Sequence, residues 1–205
     1  MSLLPIFVKL RDRLVLVVGG GPIAEGKMEA LFAAGARVCV VAPEVTPVIA
    51  QWITHRRVEW KAKPFAAADL DGAYLVIAAT SAPGVNEAVF RAADARGILC
   101  NAVDDIEHCH FYYGSVVQRG DLQIAISTNG KSPALAQRLR LQLEKQFGPE
   151  YEHWLEWLGA AREVLRAGDT SADSKKALLH NLASEPMFER FLREARGHRA
   201  GNGAA

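Results

Sequence analysis

Three features are scarce in this sequence of 205 residues: cysteine, an excess of charge of one sign, and long apolar runs. The three cysteines form no CxxC pair, so we expect no disulfide framework and place the chain in a reducing cytoplasm. The formal net charge of +1 predicts no nucleic-acid partner and no membrane surface as partner. No apolar run approaches the roughly 18–20 residues that cross a bilayer. We also expect no signal peptide, because the first residues lack a basic region.

The first half of the chain alternates between strand-like and helix-like patterns. Apolar runs typical of buried strands lie at 14–18, 37–42, 73–79 and 97–103, with a short edge strand at 57–60. Helical patterns lie between them at 24–34, 45–55 and 85–96. Strands that alternate with helices form parallel sheets with right-handed crossovers. We therefore predict an α/β fold with an N-terminal Rossmann domain over residues 1–112.

The pattern changes after residue 112. Strand-like residues 113–118 and 122–127 flank Arg119-Gly120-Asp121, which predicts a β-hairpin, and a helix follows up to about residue 147. This region, 113–147, needs a cover, which either the rest of the chain or a second copy could supply. Residues 148–196 are predicted to be helical, and we expect residues 197–205 to be disordered. Residues expected in the helical core are Trp154, Trp157, Leu158, Ala161 and Leu165.

A glycine-rich turn follows the first predicted strand and carries the pattern Gly19-x-Gly21-x-x-Ala24. Such a turn lets backbone N–H groups and a helix N-terminus face a pyrophosphate. Residues that follow the other strands are expected to share this site, because ligands of doubly wound sheets bind at the carboxyl ends of the strands. The predicted NAD-binding residues are Gly19, Gly21, Pro22, Ile23, Pro43, Glu44 and Thr80.

Two of these residues have a second interpretation. Glu44 suits either the ribose hydroxyls or the start of the following helix, where acids favour the helix dipole. Thr80 either lines the nicotinamide side or has a cap or turn role for the next helix, and the two interpretations are compatible. No Arg follows the second strand immediately to neutralise a 2′-phosphate, which favours NAD over NADP.

Acids and histidines follow the strand at 97–103. The acids are Asp104, Asp105 and Glu107. Each is either a general base, a metal ligand or a solvated loop acid. His108 and His110 flank Cys109, but neighbouring side chains of a strand point to alternating faces, so at most two of the three could share one ion. We predict no metal site.

Basic residues lie near the hairpin and its helix: Arg119, Lys131, Arg138 and Arg140. Arg138 and Arg140 cannot share one helix face, because they are two residues apart. The basic residues form either a solvated surface or a cleft for a polyanion. In the second case Lys131 and Ser132 act together at a helix N-terminus.

Several strings of the sequence match one family in order along the chain. They are Leu4-Pro-Ile-Phe7, Gly19–Lys27, Ala36–Pro43, Val76–Thr80, Asn101–Asp104 and Ile124–Ala136. With these strings the chain resembles precorrin-2 dehydrogenase, which also forms the N-terminal half of siroheme synthase. The resemblance runs from about Leu4 to Gln146, and the string that follows the hairpin is the most specific part of it.

The resemblance implies a function. Members oxidise precorrin-2 to sirohydrochlorin with NAD, and many then insert ferrous iron, which would be a second substrate. Asp104 occupies the position of the family's catalytic acid. The family also forms an intimate homodimer, with the region 113–147 exchanging contacts between subunits.

The substrate carries eight carboxylate groups, which gives the polar residues near the hairpin a role. The implied substrate-binding residues are Arg119, Thr128, Lys131 and Ser132. One alternative from another class remains: a non-catalytic regulator that binds NAD or a tetrapyrrole in the same Rossmann pocket.

Overall fold

The computed structural model describes residues 3–201, apart from the side chains of Pro83 and of residues 196–201. It divides into two compact units, with the boundary between Tyr113 and Gly114. The second unit contains both the predicted hairpin region and the predicted helical region. Within residues 3–201, no helix is long and apolar enough to cross a membrane.

The first unit is built on a parallel sheet of five strands. The strands are β1 Leu14–Val18, β2 Arg37–Val41, β3 Val58–Lys61, β4 Leu75–Ala78 and β5 Leu99–Ala102. Their order is β3-β2-β1-β4-β5, so β1 is central and β3 is an edge strand, as predicted. The helices between them are α1 Pro22–Ala33, α2 Pro47–Thr54 and α3 Pro83–Asp94. The predicted α/β Rossmann fold is confirmed.

The core lies on both faces of this sheet. Val15 and Val17 of β1 pack with Met28 of α1 on one face. On the other face, Leu16 of β1 packs with Val89 of α3. Because successive side chains of a strand point to opposite faces, a strand covered on both sides needs apolar residues at every position. This is why the central strands appear in the sequence as continuous apolar runs.

The order of the strands creates a crevice at one edge of the sheet. The chain moves outward from β1 first through β2 and β3, and then in the other direction through β4 and β5. The connections on the two sides of β1 therefore separate at its carboxyl end, where ligands of such folds bind. The Gly19 N–H donates to the Val41 carbonyl at 3.0 Å and fixes the start of this opening against β2.

The second unit begins with the predicted hairpin. Its strands are β6 Ser115–Arg119 and β7 Leu122–Ile126, which pair antiparallel. Gly120, in the turn, has a φ of 54°, a left-handed conformation that suits glycine. Four helices follow: α4 Pro133–Gln146, α5 Glu150–Ala167, α6 Ala172–Leu182 and α7 Glu185–Gly201.

Helix α7 continues beyond the predicted helical boundary at residue 196, so residues 197–201 of the expected disordered tail are helical. Residues 202–205 lie outside the described residues. The helices pack around Tyr151, Trp154 and Phe188, whose ring centroids are 4.6 to 5.7 Å apart. Trp157 was expected in the core but remains 37% exposed, because only part of the α5 stripe meets this small cluster.

Candidate functional site

A cleft of about 590 Å³ opens at the carboxyl ends of β1, β2 and β4. It contains every residue predicted to bind NAD, from three separate turns of the chain: Gly19, Gly21, Pro22, Ile23, Pro43, Glu44 and Thr80. Pro64 and Phe65, which follow β3, also line the cleft and were not predicted. The strand order brings these turns together, because each of them leaves the same edge of the sheet.

The glycine-rich turn is packed too tightly for side chains at Gly19 and Gly20. Gly19 has a φ of 121°, and a Cβ there would lie 2.3 Å from the Ala79 carbonyl oxygen. Gly21 differs, since no heavy atom of the described residues outside its immediate neighbourhood lies within 4 Å of a Cβ built on it. A side chain at residue 21 would therefore meet open space beside the cleft. Gly19 is therefore required by the packing of the turn, whereas Gly21 leaves open space at the cleft.

The N-terminus of α1 is open to a ligand. Its N-cap is Gly21, which has no side chain to accept a hydrogen bond from the first turn, and Pro22 at the first helical position has no N–H. The N–H groups of Ile23 and Ala24 are left without an intrahelical acceptor. Because the helix dipole is positive at this end, the arrangement fits a pyrophosphate. The residues present thus fit the diphosphate of a dinucleotide.

Glu44 lies in the cleft and does not begin a helix. Helix α2 starts at Pro47, and its N-cap is Thr46, whose Oγ1 accepts from the Ile49 N–H at 3.3 Å. The Glu44 side chain is exposed at the cleft wall. Of its two sequence interpretations, the geometry therefore favours the one in which Glu44 accepts hydrogen bonds from ribose hydroxyls.

Thr80 is held by a residue that the sequence did not single out. The Thr80 hydroxyl donates to the Asn86 Oδ1 at 2.8 Å, and the Asn86 Nδ2 donates to the Thr80 carbonyl at 3.1 Å. The Ala82 N–H also donates to the Thr80 hydroxyl at 3.2 Å. Thr80 therefore forms the turn before α3 and lines the cleft, as predicted, but it does not cap α3, whose N-cap is Ala82. The sequence carries no distinct signal for Asn86, because α3 also contains the polar residues Glu87, Arg91 and Asp94.

Asp104 lies two residues beyond the end of β5, and β5 is the strand next to β4. It is exposed and has a φ of 60°. Apart from glycine, Asn and Asp are the residues that most often adopt this left-handed conformation. Asp104 is not part of the lining of the cleft. It is nevertheless at the same edge of the sheet, since the Val103 N–H donates to the Ala78 carbonyl at 2.9 Å.

The loop that carries Asp104 is anchored by Asn101. This side chain is buried in β5, and its Nδ2 donates to the Phe111 carbonyl at 2.9 Å and to the Cys109 Sγ at 3.3 Å. The first residue of the Asn-x-Val-Asp string thus closes the loop. Its last residue is the carboxylate that the loop presents.

The two histidines of this loop have structural partners. His108 Nδ1 and Asp105 Oδ2 are 2.6 Å apart, and this hydrogen bond lowers the pKa of Asp105. His110 Nδ1 accepts from the Cys100 N–H at 3.0 Å, and its ring stacks on Phe90 with the centroids 4.8 Å apart. Over residues 3–201, no group of three or more His, Cys, Asp or Glu side chains is placed to hold a metal ion.

Three of the predicted substrate-binding residues are neighbours in the second unit. The Thr128 hydroxyl accepts from the Ser132 N–H at 3.2 Å, and the Lys131 N–H donates to the Thr128 carbonyl at 3.1 Å. Ser132 is the N-cap of α4, as predicted, because its Oγ accepts from the Leu135 N–H at 3.2 Å. These bonds fix a compact turn at the N-terminus of α4.

Arg119 is not part of that group. Its guanidinium donates to the carbonyls of Phe147 at 2.9 Å, Glu144 at 3.0 Å and Gln118 at 2.8 Å. It therefore binds the C-terminal end of α4, a helix of 14 residues. A helix of that length separates its ends by about 20 Å. The contacts favour a structural role for Arg119 and divide the predicted basic group.

Comparisons with known proteins agree with this geometry. The family model described as putative NAD(P)-binding matches residues 6–115, and the model described as sirohaem biosynthesis protein central matches residues 119–146. A siroheme synthase of Methylobacillus flagellatus is 45% identical over 192 residues, which is 94% of this chain and 41% of that protein. Siroheme synthase 1 of Serratia proteamaculans is 40% identical over 82% of this chain and 36% of its own length.

The chain thus spans about two fifths of the curated relatives it matches. A solved structure named SirC, precorrin-2 dehydrogenase, superposes with a TM-score of 0.77 at 27% identity and covers 95% of this chain and 100% of its own. The two family models match in the order in which the sequence motifs occur. Together these findings confirm the resemblance that the motifs carried.

Proposed function

Because this chain belongs to the putative NAD(P)-binding family, whose model matches residues 6–115, we propose that it oxidises precorrin-2 to sirohydrochlorin with NAD in siroheme biosynthesis. The observation that carries the proposal concerns one edge of the sheet. The dinucleotide cleft lies at this edge, and Asp104 follows β5 at the same edge. The neighbour named precorrin-2 dehydrogenase, which this chain matches along its whole length, supplies the substrate.

The cleft residues would hold NAD in an extended arrangement. The N–H groups of Ile23 and Ala24 face the pyrophosphate, Glu44 accepts from ribose hydroxyls, and Thr80 lies on the nicotinamide side. When bound, NAD supplies the acceptor for one hydride. The carboxylate of Glu44 would repel a 2′-phosphate, which favours NAD over NADP.

Asp104 would handle the proton of the reaction. The conversion of precorrin-2 to sirohydrochlorin removes two electrons and two hydrogens, one as the hydride and one as a proton. The Asp104 carboxylate would accept the proton while the hydride passes from a C–H bond of precorrin-2 to NAD, and it would then release the proton to water, to which it is exposed. The left-handed backbone at Asp104 holds the carboxylate at the edge of the sheet.

The turn at the N-terminus of α4 would bind carboxylate groups of the substrate. Lys131 supplies a positive charge, and Thr128 and Ser132 fix the turn that presents it. Arg119 was expected to take part, but its bonds to three carbonyls commit it to the end of α4. We therefore leave Arg119 out of the proposed substrate site.

We further propose a homodimer in the cytoplasm. Apolar side chains of the second unit are exposed, among them Val116 of β6, Leu141 of α4 and Val164 of α5, which is 74% exposed. A second copy would cover such surfaces. All three cysteines are free, which suits a reducing compartment. Light scattering on the purified chain tests the dimer, since a monomer mass would contradict it.

The activity is tested by mixing the protein with precorrin-2 and NAD without oxygen. We expect NADH and sirohydrochlorin, each followed by its absorbance, to form together in equal molar amounts. NAD binding without any spectral change would contradict the proposal and favour the regulator. Addition of ferrous iron to the same cuvette tests the proposed chelatase step, in which Asp104 would accept the pyrrole protons. Loss of the sirohydrochlorin bands at a rate above that of an enzyme-free control would support that step.

A further inference from the structure

Lys27 is a cation whose position no part of the nucleotide site explains. It lies in α1, one turn beyond the glycine-rich turn, and its side chain is half-buried. Its Nζ is 4.0 Å from the centroid of the Tyr113 ring. Partial burial raises the pKa of Tyr113 to about 12, so this phenol stays neutral and meets the ammonium through its ring face.

Lys27 is a partly buried cation that interacts electrostatically with the negative charge of Asp104. Burial lowers the pKa of Lys27, whereas the charge of Asp104 acts on it in the opposite direction. Asp104 is therefore within electrostatic range of the ammonium. Among residues 3–201, however, Lys27 forms no ion pair. A half-buried ammonium that lacks a bound carboxylate gains most from an anionic ligand.

We propose that Lys27 is a substrate-binding residue that holds one carboxylate arm of the tetrapyrrole next to Asp104. This inference rests on the proposed function and assigns one of its contacts. The ring of Tyr113 limits where the ammonium can go, so the carboxylate that it binds is fixed relative to the Asp104 loop. One carboxylate arm of the macrocycle is then held by a charge from α1.

A binding experiment tests this without turnover. Sirohydrochlorin is titrated without oxygen and without NAD into the full chain and into Lys27→Met, and the change in its absorbance is followed. We expect Lys27→Met to weaken binding about 10- to 100-fold, the range for a hydrogen bond to a charged group. We also expect a smaller loss of affinity with added salt in Lys27→Met than in the unchanged chain. Lys27→Arg keeps the charge and should keep most of the affinity.

The matched control is Lys9→Met, which removes an exposed lysine that precedes β1 and should not change binding. Equal NAD affinity in Lys27→Met and the unchanged chain establishes that the variant is folded. If Lys27→Met loses NAD affinity, the sirohydrochlorin titration is repeated with Lys27→Gln. If Lys27→Met and Lys27→Gln both bind sirohydrochlorin as the unchanged chain does, the inference is overturned. If the unchanged chain binds the tetrapyrrole through Lys27 but makes no NADH from precorrin-2, the inference stands and the proposed function fails.

Discussion

Gly20 and Glu44 approach each other so closely that a Cβ at residue 20 would lie 2.1 Å from the Glu44 carbonyl oxygen. The Gly20 carbonyl also accepts a hydrogen bond from the Thr46 N–H at 2.9 Å. The turn after β1 and the turn after β2 are thus joined directly. Glu44 lines the same cleft as the open N-terminus of α1.

We predict that Gly20→Ala lowers stability and weakens NAD binding together. The Cβ would force the two turns apart, and overpacking of this kind costs about 1–3 kcal/mol. Urea denaturation and an NAD titration measure the two effects. Gly21→Ala is the matched control, since its Cβ meets open space: we expect weaker NAD binding with little change in stability. Equal urea midpoints for Gly20→Ala and the unchanged chain would contradict the packing argument.

A second prediction concerns Asp104. Asn has the same shape and tolerates the left-handed backbone of residue 104, so Asp104→Asn removes the base and keeps the loop. We expect kcat for NADH formation to fall about 10²- to 10⁴-fold, the usual contribution of a general base. The Kd for NAD should not change, because Asp104 is outside the cleft. A variant with near-normal kcat would remove Asp104 from the mechanism.

Much of the first unit could be predicted from the sequence because its signals are local. Continuous apolar runs identify strands covered on both faces, and the glycines of the first turn locate the cleft. The alternation of strands with helices predicts the parallel sheet. This is why the residues predicted to bind NAD all line one cleft.

The partners of Arg119 and Lys27 could not be predicted in this way. The Arg119 guanidinium binds carbonyls 25 and 28 residues later, and backbone acceptors at a helix end carry no mark in the sequence. Lys27 has the spacing of an ordinary surface lysine, and only the fold brings it to Tyr113. Contacts between distant segments, rather than local patterns, decide the roles of both residues.

Arg119→Met is predicted to act on stability and not on substrate affinity. The change removes three charged hydrogen bonds to carbonyls, and we expect a loss of about 1–3 kcal/mol because part of the guanidinium remains in contact with water. Urea denaturation measures this loss of stability, and the KM for precorrin-2 tests the alternative that Arg119 binds the substrate. A raised KM with unchanged stability would return Arg119 to the substrate site. Arg138→Met, at an exposed position of α4, is the control for loss of one positive charge.

The last prediction concerns Asp69, which is 5% exposed and accepts hydrogen bonds from Lys61 at 3.1 Å, from Lys63 and from the Ala66 N–H at 3.0 Å. Burial alone would raise the pKa of Asp69, but these bonds outweigh it and lower the pKa. The stabilisation is therefore complete above the unfolded pKa of the carboxyl group and is lost as the pH falls through the folded value.

We expect Asp69→Asn to cost about 2 kcal/mol at neutral pH, less than for a fully buried pair because both lysines are nearly half exposed. In urea denaturation the gap between the unchanged chain and Asp69→Asn should narrow as the pH falls below the unfolded pKa. Asp71→Asn, two residues away and exposed, should change stability little at any pH. A gap that stays constant down to strongly acidic pH would mean that the charge of Asp69 does not stabilise the fold.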